Sequence, residues 1–189
     1  YYQLRGRLEE GKTACRSVVE KLRDAAGARN DVPLAHPQAL SEEGQRLLAR
    51  ALSWQGVFIR LMGYNSVAEP ILEQSIVLLN ALEATGQDVQ AERAFALLEM
   101  GRQAFDLDRV RAKHCLEQSL DLYQALDDRW SAANTLYMLG WLGDGLGDYD
   151  QARQLLDESL VLRHAVEDRR GTANTLALLG LNALRVGQL

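Results

Sequence analysis

Ala152, Leu156, Ser159, Leu160, Ala165, Asp168, Arg169, Ala173, Asn174, Thr175, Leu176, Leu179 and Gly180 each repeat the residue forty positions earlier. Repetition at a period of roughly 20–50 residues excludes most closed globular folds, because each unit is one supersecondary element that hides its apolar face only by stacking on the next. The letters inside the unit choose the element. Ala, Leu, Glu, Gln and Arg are abundant, and the 189 residues include three prolines and 6% aromatics. That balance favours helix and is too poor in β-branched and aromatic residues for a sheet protein. The expectation is all-α: a right-handed α-α superhelix of antiparallel helix hairpins.

Punctuation sets the frame. Cys15, Val18, Val19, Leu22 and Ala26 recur at three-to-four spacing, so residues 1–30 read as one amphipathic helix, the second half of a truncated unit. Pro33 and Pro37 break the chain between Asn30 and Leu40. Full units are expected at 38–86, 87–127 and 128–167, and 168–189 supplies the first helix of another truncated unit. Ser41 is placed as an N-cap, Gly63 and Gly86 as helix stops, and Pro70 inside the first turn of a helix starting at Ser66. Asp88, Asp128 and Asp168, spaced by forty, are expected to cap three first helices. The last helix would leave Leu176, Leu179 and Leu184 without their usual neighbour. Because the chain opens on Tyr1 rather than Met, it reads as a fragment of a larger protein.

Small residues recur at set places in each unit: Gly56, Ala68 and Ser75; Gly140, Ala152 and Ser159; and, with one residue deleted, Gly101, Ala112 and Ser119. Larger side chains there would hold paired helix axes beyond the 8–10 Å or so of normal packing. Leu136 and Leu139, or Leu176 and Leu179, precede the glycine, and Leu116 and Leu156 take the large position on the second helix. This pattern resembles the tetratricopeptide repeat (TPR). It departs from it in a period of 40 or 44 rather than about 34, in Asn80, Gln124 and His164 where a proline often ends the second helix, and in Gln55 beside Gly56. Long units with an Asp-Arg boundary followed by Ala-Asn-Thr-Leu are similar to the helical arms of bacterial signal-transduction ATPases and of LuxR-type or streptomycete-type transcription regulators. They are similar also to kinesin-light-chain-like repeats. The resemblance implies a non-catalytic sensor or interaction module for a peptide or protein segment, with a small-molecule inducer receptor as the other reading.

Several chemistries find no support in the residues. A net charge of −5 and a pI near 5.3 argue against a direct grip on nucleic acid, which needs clustered Lys and Arg. No apolar run approaches the 18–20 or so residues that span a bilayer. Cys15 and Cys115 fall in helical patterns among apolar neighbours and read as small buried hydrophobes in a reducing cytoplasm rather than a disulfide. His36, His114 and His164 form no ligand pair, so no metal is expected. Asp144, Asp148 and Asp150 with Gly145 and Gly147 lack the spacing of a calcium loop and read as a helix end, turn and N-cap. The glycines from 140 to 147 follow no strand and precede no Lys-Ser/Thr, so they are not a phosphate loop. No nucleophile motif and no cofactor are indicated.

A groove is expected where first helices line the concave wall of a stack. Asn134, Tyr137 and Trp141 share one face, offset from the Leu136, Leu139 and Gly140 packing stripe. By equivalence the groove also receives Asn174, Arg102 and Arg60. Rings would bury area, Asn would bond a peptide backbone, and Arg would take a carboxylate. The alternatives are that Tyr137 and Trp141 pack against a neighbouring unit, that the arginines pair with a nearby Glu, and that Asn134 and Asn174 share a structural role.

Overall fold

The computed structural model describes residues 2–25 and 40–187, and places them in eight α-helices with no strand among the described residues. They are α1 (Tyr2–Ala25), α2 (Glu42–Leu61), α3 (Asn65–Ala84), α4 (Gln90–Ala104), α5 (Arg109–Ala125), α6 (Arg129–Leu146), α7 (Tyr149–Ala165) and α8 (Arg169–Val186). The Pro33–Pro37 break, His36 and the last residues of the first expected helix lie outside the described residues. The chain divides into two compact units, Tyr1–Gln103 and Ala104–Leu189.

Helix ends follow the local chemistry. Side-chain oxygens of Ser41, Asp108, Asp128 and Asp168 accept from the amides of Gly44, Arg111, Ser131 and Gly171 at 2.9–3.2 Å, each satisfying a donor that has no partner inside the helix. Asp88 departs from its expected equivalence with Asp128 and Asp168. It stands two residues ahead of α4 and reaches only the Gln90 amide, at 3.4 Å. Asp108 takes a cap the repeat had not assigned. Pro70 also differs from expectation: α3 begins at Asn65, so Pro70 is its sixth residue and removes a donor from the ladder. The exposure of Ser66 and Pro70 leaves the released carbonyl open to solvent.

In the first unit α2 lies between α1 and α3, and its Leu48, Ala49 and Leu52 join Val19, Leu78, Leu79, Leu82, Val89 and Ala96 in one core. A Cβ on Gly56 would stand 2.6 Å from Leu72 Cγ, so the α2–α3 approach depends on the missing side chain. The second unit repeats the device. A Cβ on Gly140 would stand 2.7 Å from Leu156 Cγ, at the α6–α7 contact, and Ala152 and Leu156 are fully buried there. The α2–α3 and α6–α7 hairpins thus form where the small residues predict. At the end of the unit α8 packs on α7, with Thr175 and Leu178 buried. As expected, Leu176 and Leu184 are left exposed, whereas Leu179 is half-buried.

Candidate functional site

In the first unit α2 and α4 present a shared face whose charges are arranged in two groups. Arg46 Nε donates to Glu92 Oε1 at 2.7 Å. Further along, Arg60 Nη2 donates to Glu99 Oε2 at 2.7 Å and Arg102 Nη1 to Glu99 Oε1 at 2.6 Å. The Glu99 side chain is only 3% exposed, so two guanidiniums, one from each helix, hold a single desolvated carboxylate. Such a carboxylate is tolerated only while both oxygens are bonded. Burial raises the Glu92 carboxyl, but the Arg46 hydrogen bond and the charges of Arg46 and Arg50 outweigh it, leaving it below the usual range. Between the two groups the rings of Trp54 and Phe95 meet at 4.8 Å between centroids, with Phe58 6.0 Å from Trp54. A cavity of about 270 Å³ opens beside them, lined by Arg50, Ser53, Trp54, Ala91, Glu92 and Phe95.

The second unit carries a different face. The Trp141 ring is 4.9 Å from that of Phe105 and 6.3 Å from that of Tyr137, and the residue remains 46% exposed. Two neighbours therefore fix the indole while leaving part of it open to solvent. Behind Tyr137 lies Arg163 of α7, whose side chain is 3% exposed. Its guanidinium donates to Ser159 Oγ at 3.2 Å, Asp168 Oδ2 at 2.5 Å and Asn134 Oδ1 at 3.0 Å, and sits 5.6 Å from the Tyr137 ring centroid. That set of partners satisfies a buried cation from three directions and joins α6, α7 and the cap of α8.

The expected groove residues therefore divide. Tyr137 and Trp141 stand together, with Phe105 as a third ring. Asn134 is half-buried and its oxygen is taken by Arg163. Asn174, its repeat equivalent, is exposed. Arg60 and Arg102 converge on Glu99 rather than standing apart. Sequence reasoning missed Arg50, Trp54, Phe95, Glu99 and Arg163. Trp54 lies two residues before Gly56 whereas Tyr137 lies three before Gly140, so the two aromatics do not share a repeat position; the residue in the register of Tyr137 is Ser53, which is buried and bonded to Ser75 at 2.7 Å. Glu99 and the four arginines did carry a signal: opposite charges at recurring helical spacing on α2 and α4.

Asp144, fully buried on α6, pairs with Arg185 and accepts from Asn182 Nδ2 at 3.1 Å, tying α6 to α8. Burial raises the Cys15 and Cys115 thiols above their usual range, the reverse of what an attacking thiolate needs. Among the described residues, no three His, Cys, Asp or Glu side chains are grouped to hold a metal, and no helix is long and apolar enough to cross a membrane.

No family model matches the chain, and no curated protein is similar to it in sequence. Solved structures are similar in three dimensions. The nearly identical TPR-like repeats assigned to a kinesin light chain of Podosopora anserina superpose with a TM-score of 0.63 at 16% identity, over 97% of this chain and 89% of that one. A substituted variant of them gives 0.65 at 16%, over 97% and 88%. BtubC (BKLC) from P. vanneervenii gives 0.56 at 15% identity, over 95% and 84%. Identities this low speak to architecture, and together with the Gly56–Leu72 and Gly140–Leu156 contacts they establish that the chain has the TPR-like helical-repeat fold.

Proposed function

We propose that the chain is a non-catalytic interaction module that holds a peptide or protein segment against the exposed faces of its first helices. The observation that carries this reading is Trp141, an indole clamped by Phe105 and Tyr137 yet nearly half exposed. A pre-positioned ring loses little freedom when a partner covers it, and this is how aromatic anchors contribute to binding. The fold adds support, since stacked helical hairpins bind partners along extended surfaces. The Asp-Arg, Ala-Asn-Thr-Leu boundary favours a place in a multidomain bacterial signalling or transcription regulator of the cytoplasm.

Random decapeptides displayed on phage, selected on the immobilised chain and then titrated by calorimetry as synthetic peptides, test this. Saturable binding is expected, weakened by about 2 kcal/mol or more in Trp141→Ala with helix content unchanged. Failure to select any peptide, or affinities indifferent to Trp141, overturns the reading.

A small-molecule receptor draws on one observation in the second unit: a cavity of about 470 Å³ whose lining combines five leucines, Leu142 among them, with Lys113, Glu117, Asp148 and Gln151. That volume, with apolar walls and a few polar groups, suits a small ligand. A rise in Tm with an apolar metabolite, lost on Leu142→Asp, would favour this reading over the first.

A further inference from the structure

From the cavity that α5, α6 and α7 share in the second unit we infer a binding site for an aliphatic primary amine, its chain lying on the leucines and its ammonium group held by Asp148 and Glu117. The inference rests on the small-molecule reading above and names the class of that ligand.

The walls choose the tail. Both α5 and α7 pack on α6, and residues of all three helices line the cavity of about 470 Å³. Leu139 and Leu142 of α6 are buried, Leu120 of α5 and Leu155 of α7 are half-buried, and Leu146 is exposed, so the lining grades from a dry floor to an open edge. Leucines offer no donor or acceptor, and the part of a ligand that covers them must therefore be hydrocarbon. Among the described residues no aromatic ring lines the cavity. That removes the cation–π surface by which quaternary ammonium heads are recognised, and leaves hydrogen bonding to hold the head.

The charges choose its sign. Those lining the cavity are Lys113, Glu117 and Asp148, so carboxylates outnumber the ammonium. Charged residues within one helical turn of that lining on α5 and α7 do not reverse the balance: Arg109, Arg111 and Arg153 stand against Asp121, Asp150, Asp157 and Glu158. On α6 the nearby acid, Asp144, is already paired with Arg185. Lys113 and Glu117 approach only to 3.8 Å, with both side chains about half exposed. A pair of that kind is weak, and Glu117 can serve a second cation.

Asp148 is the independent sign of a ligand. Forty residues earlier its repeat equivalent, Asp108, caps α5 by accepting from the Arg111 amide at 2.9 Å. The backbone of Asp148, at φ −86° and ψ 65°, is close to that of Asp128 at −81° and 82° and of Asp168 at −75° and 81°, and both of those side chains cap their helices. The conformation therefore permits a cap, a bond that ordinarily stabilises a helix start. Yet the Asp148 side chain makes none, has no other hydrogen-bond or ion-pair partner among the described residues, and lines the cavity instead. A carboxylate released in this way beside leucines accepts N–H groups from whatever fills the cavity, and a primary ammonium brings three of them on one compact charge.

Calorimetric titration of the whole chain with butylamine, hexylamine, octylamine, octanol and octanoate, at neutral pH and low salt, tests this. The amines should bind saturably at one site, with affinity rising about three- to fourfold per methylene, and octylamine should bind about tenfold or more above octanoate. Asp148→Asn and Glu117→Gln should each weaken octylamine about threefold or more and leave octanol within about twofold, whereas Asp148→Lys should reverse the preference between octylamine and octanoate. Leu146→Ala should weaken all three eight-carbon ligands. Glu117, Leu146 and Asp148 are exposed, so these changes spare the core, and circular dichroism checks the helix content of each variant. Octanol or octanoate binding as tightly as octylamine, amine affinity that is flat with chain length, or octylamine binding that Asp148→Asn leaves unchanged overturns the amine site, while saturable binding of octanol leaves the small-molecule reading standing. Absence of saturable binding by all five overturns both.

Discussion

Ser159 on α7 donates its hydroxyl to the carbonyl oxygen of Ala133 on α6 at 2.8 Å, and Ser75 on α3 does the same to Ala49 on α2 at 2.7 Å. The two bonds are equivalent in register and both serines are fully buried. The recurring serine is thus more than small: it is a polar cross-link between α2 and α3 and between α6 and α7. In α7 it also accepts from Arg163 Nε. Ser159→Ala leaves that buried donor unpaired, and the expected cost is about 1–3 kcal/mol. Urea denaturation measures it, and an unchanged midpoint would show that the cross-link contributes nothing.

Two glycines offer a controlled comparison. Gly140→Ala pushes a methyl into Leu156 and towards the Ala152 carbonyl, 3.2 Å away, and should destabilise by about 1–3 kcal/mol through overpacking. At Gly180, its repeat equivalent, a Cβ meets nothing within 4 Å. Gly180→Ala should instead stabilise the 189-residue chain by about 0.5–1 kcal/mol, the usual helix gain of Ala over Gly. Leu156→Ala should cost about 2–5 kcal/mol alone and less in the Gly140→Ala background, because it makes room for the added methyl. Additive effects in that cycle would contradict the contact.

The Asp168 carboxyl sits below its usual range, chiefly because the Gly171 amide donates to it at 2.9 Å and, against the opposing effect of burial, because Arg163 pairs with it at 2.5 Å. A carboxyl depressed in the folded state contributes stability that is fully present above the unfolded aspartate value near 3.9 and is lost as pH falls through the lower folded value. Asp168→Asn retains a capping oxygen but loses the charge. At pH 7 the variant should therefore melt below the parent, and the gap should close as pH drops from about 4. Thermal melts from pH 7 to 2.5 check this, and a gap that persists at the acid end would assign the effect to something other than ionisation.

Glu167 has φ +54° and Asp127 φ +52°, the left-handed region that costs an L-residue of ordinary shape roughly 1–2 kcal/mol. Asp tolerates it better than Glu. Glu167→Gly should therefore stabilise by about 0.5–1 kcal/mol, the relieved strain less the extra entropy glycine loses on folding. Asp127→Gly should give less, since it also removes an ion pair with Arg129 at 3.1 Å. Chemical denaturation ranks the two, and the reverse order would refute the assignment of strain.

What the residues determined by themselves was the helical class, the pairing of α2 with α3 and of α6 with α7, and the close approach of Gly56 to Leu72 and Gly140 to Leu156. The caps at Ser41, Asp128 and Asp168 belong with these. Small size, capping chemistry and apolar spacing act over one or two turns, so they are legible in a linear string. Tertiary structure decided the rest. Arg163 carries no distinguishing mark in the string, and becomes a buried hub because Asn134 and Tyr137 of α6 and the α8 cap Asp168 converge on it beside Ser159 of its own helix. Trp54 and Phe95 hold no equivalent positions in their repeats, yet α2 and α4 bring their rings to 4.8 Å between centroids. Contacts between helices depend on rotation about each axis and on which side chain fills the gap, and neither is carried by the spacing of residues along one chain.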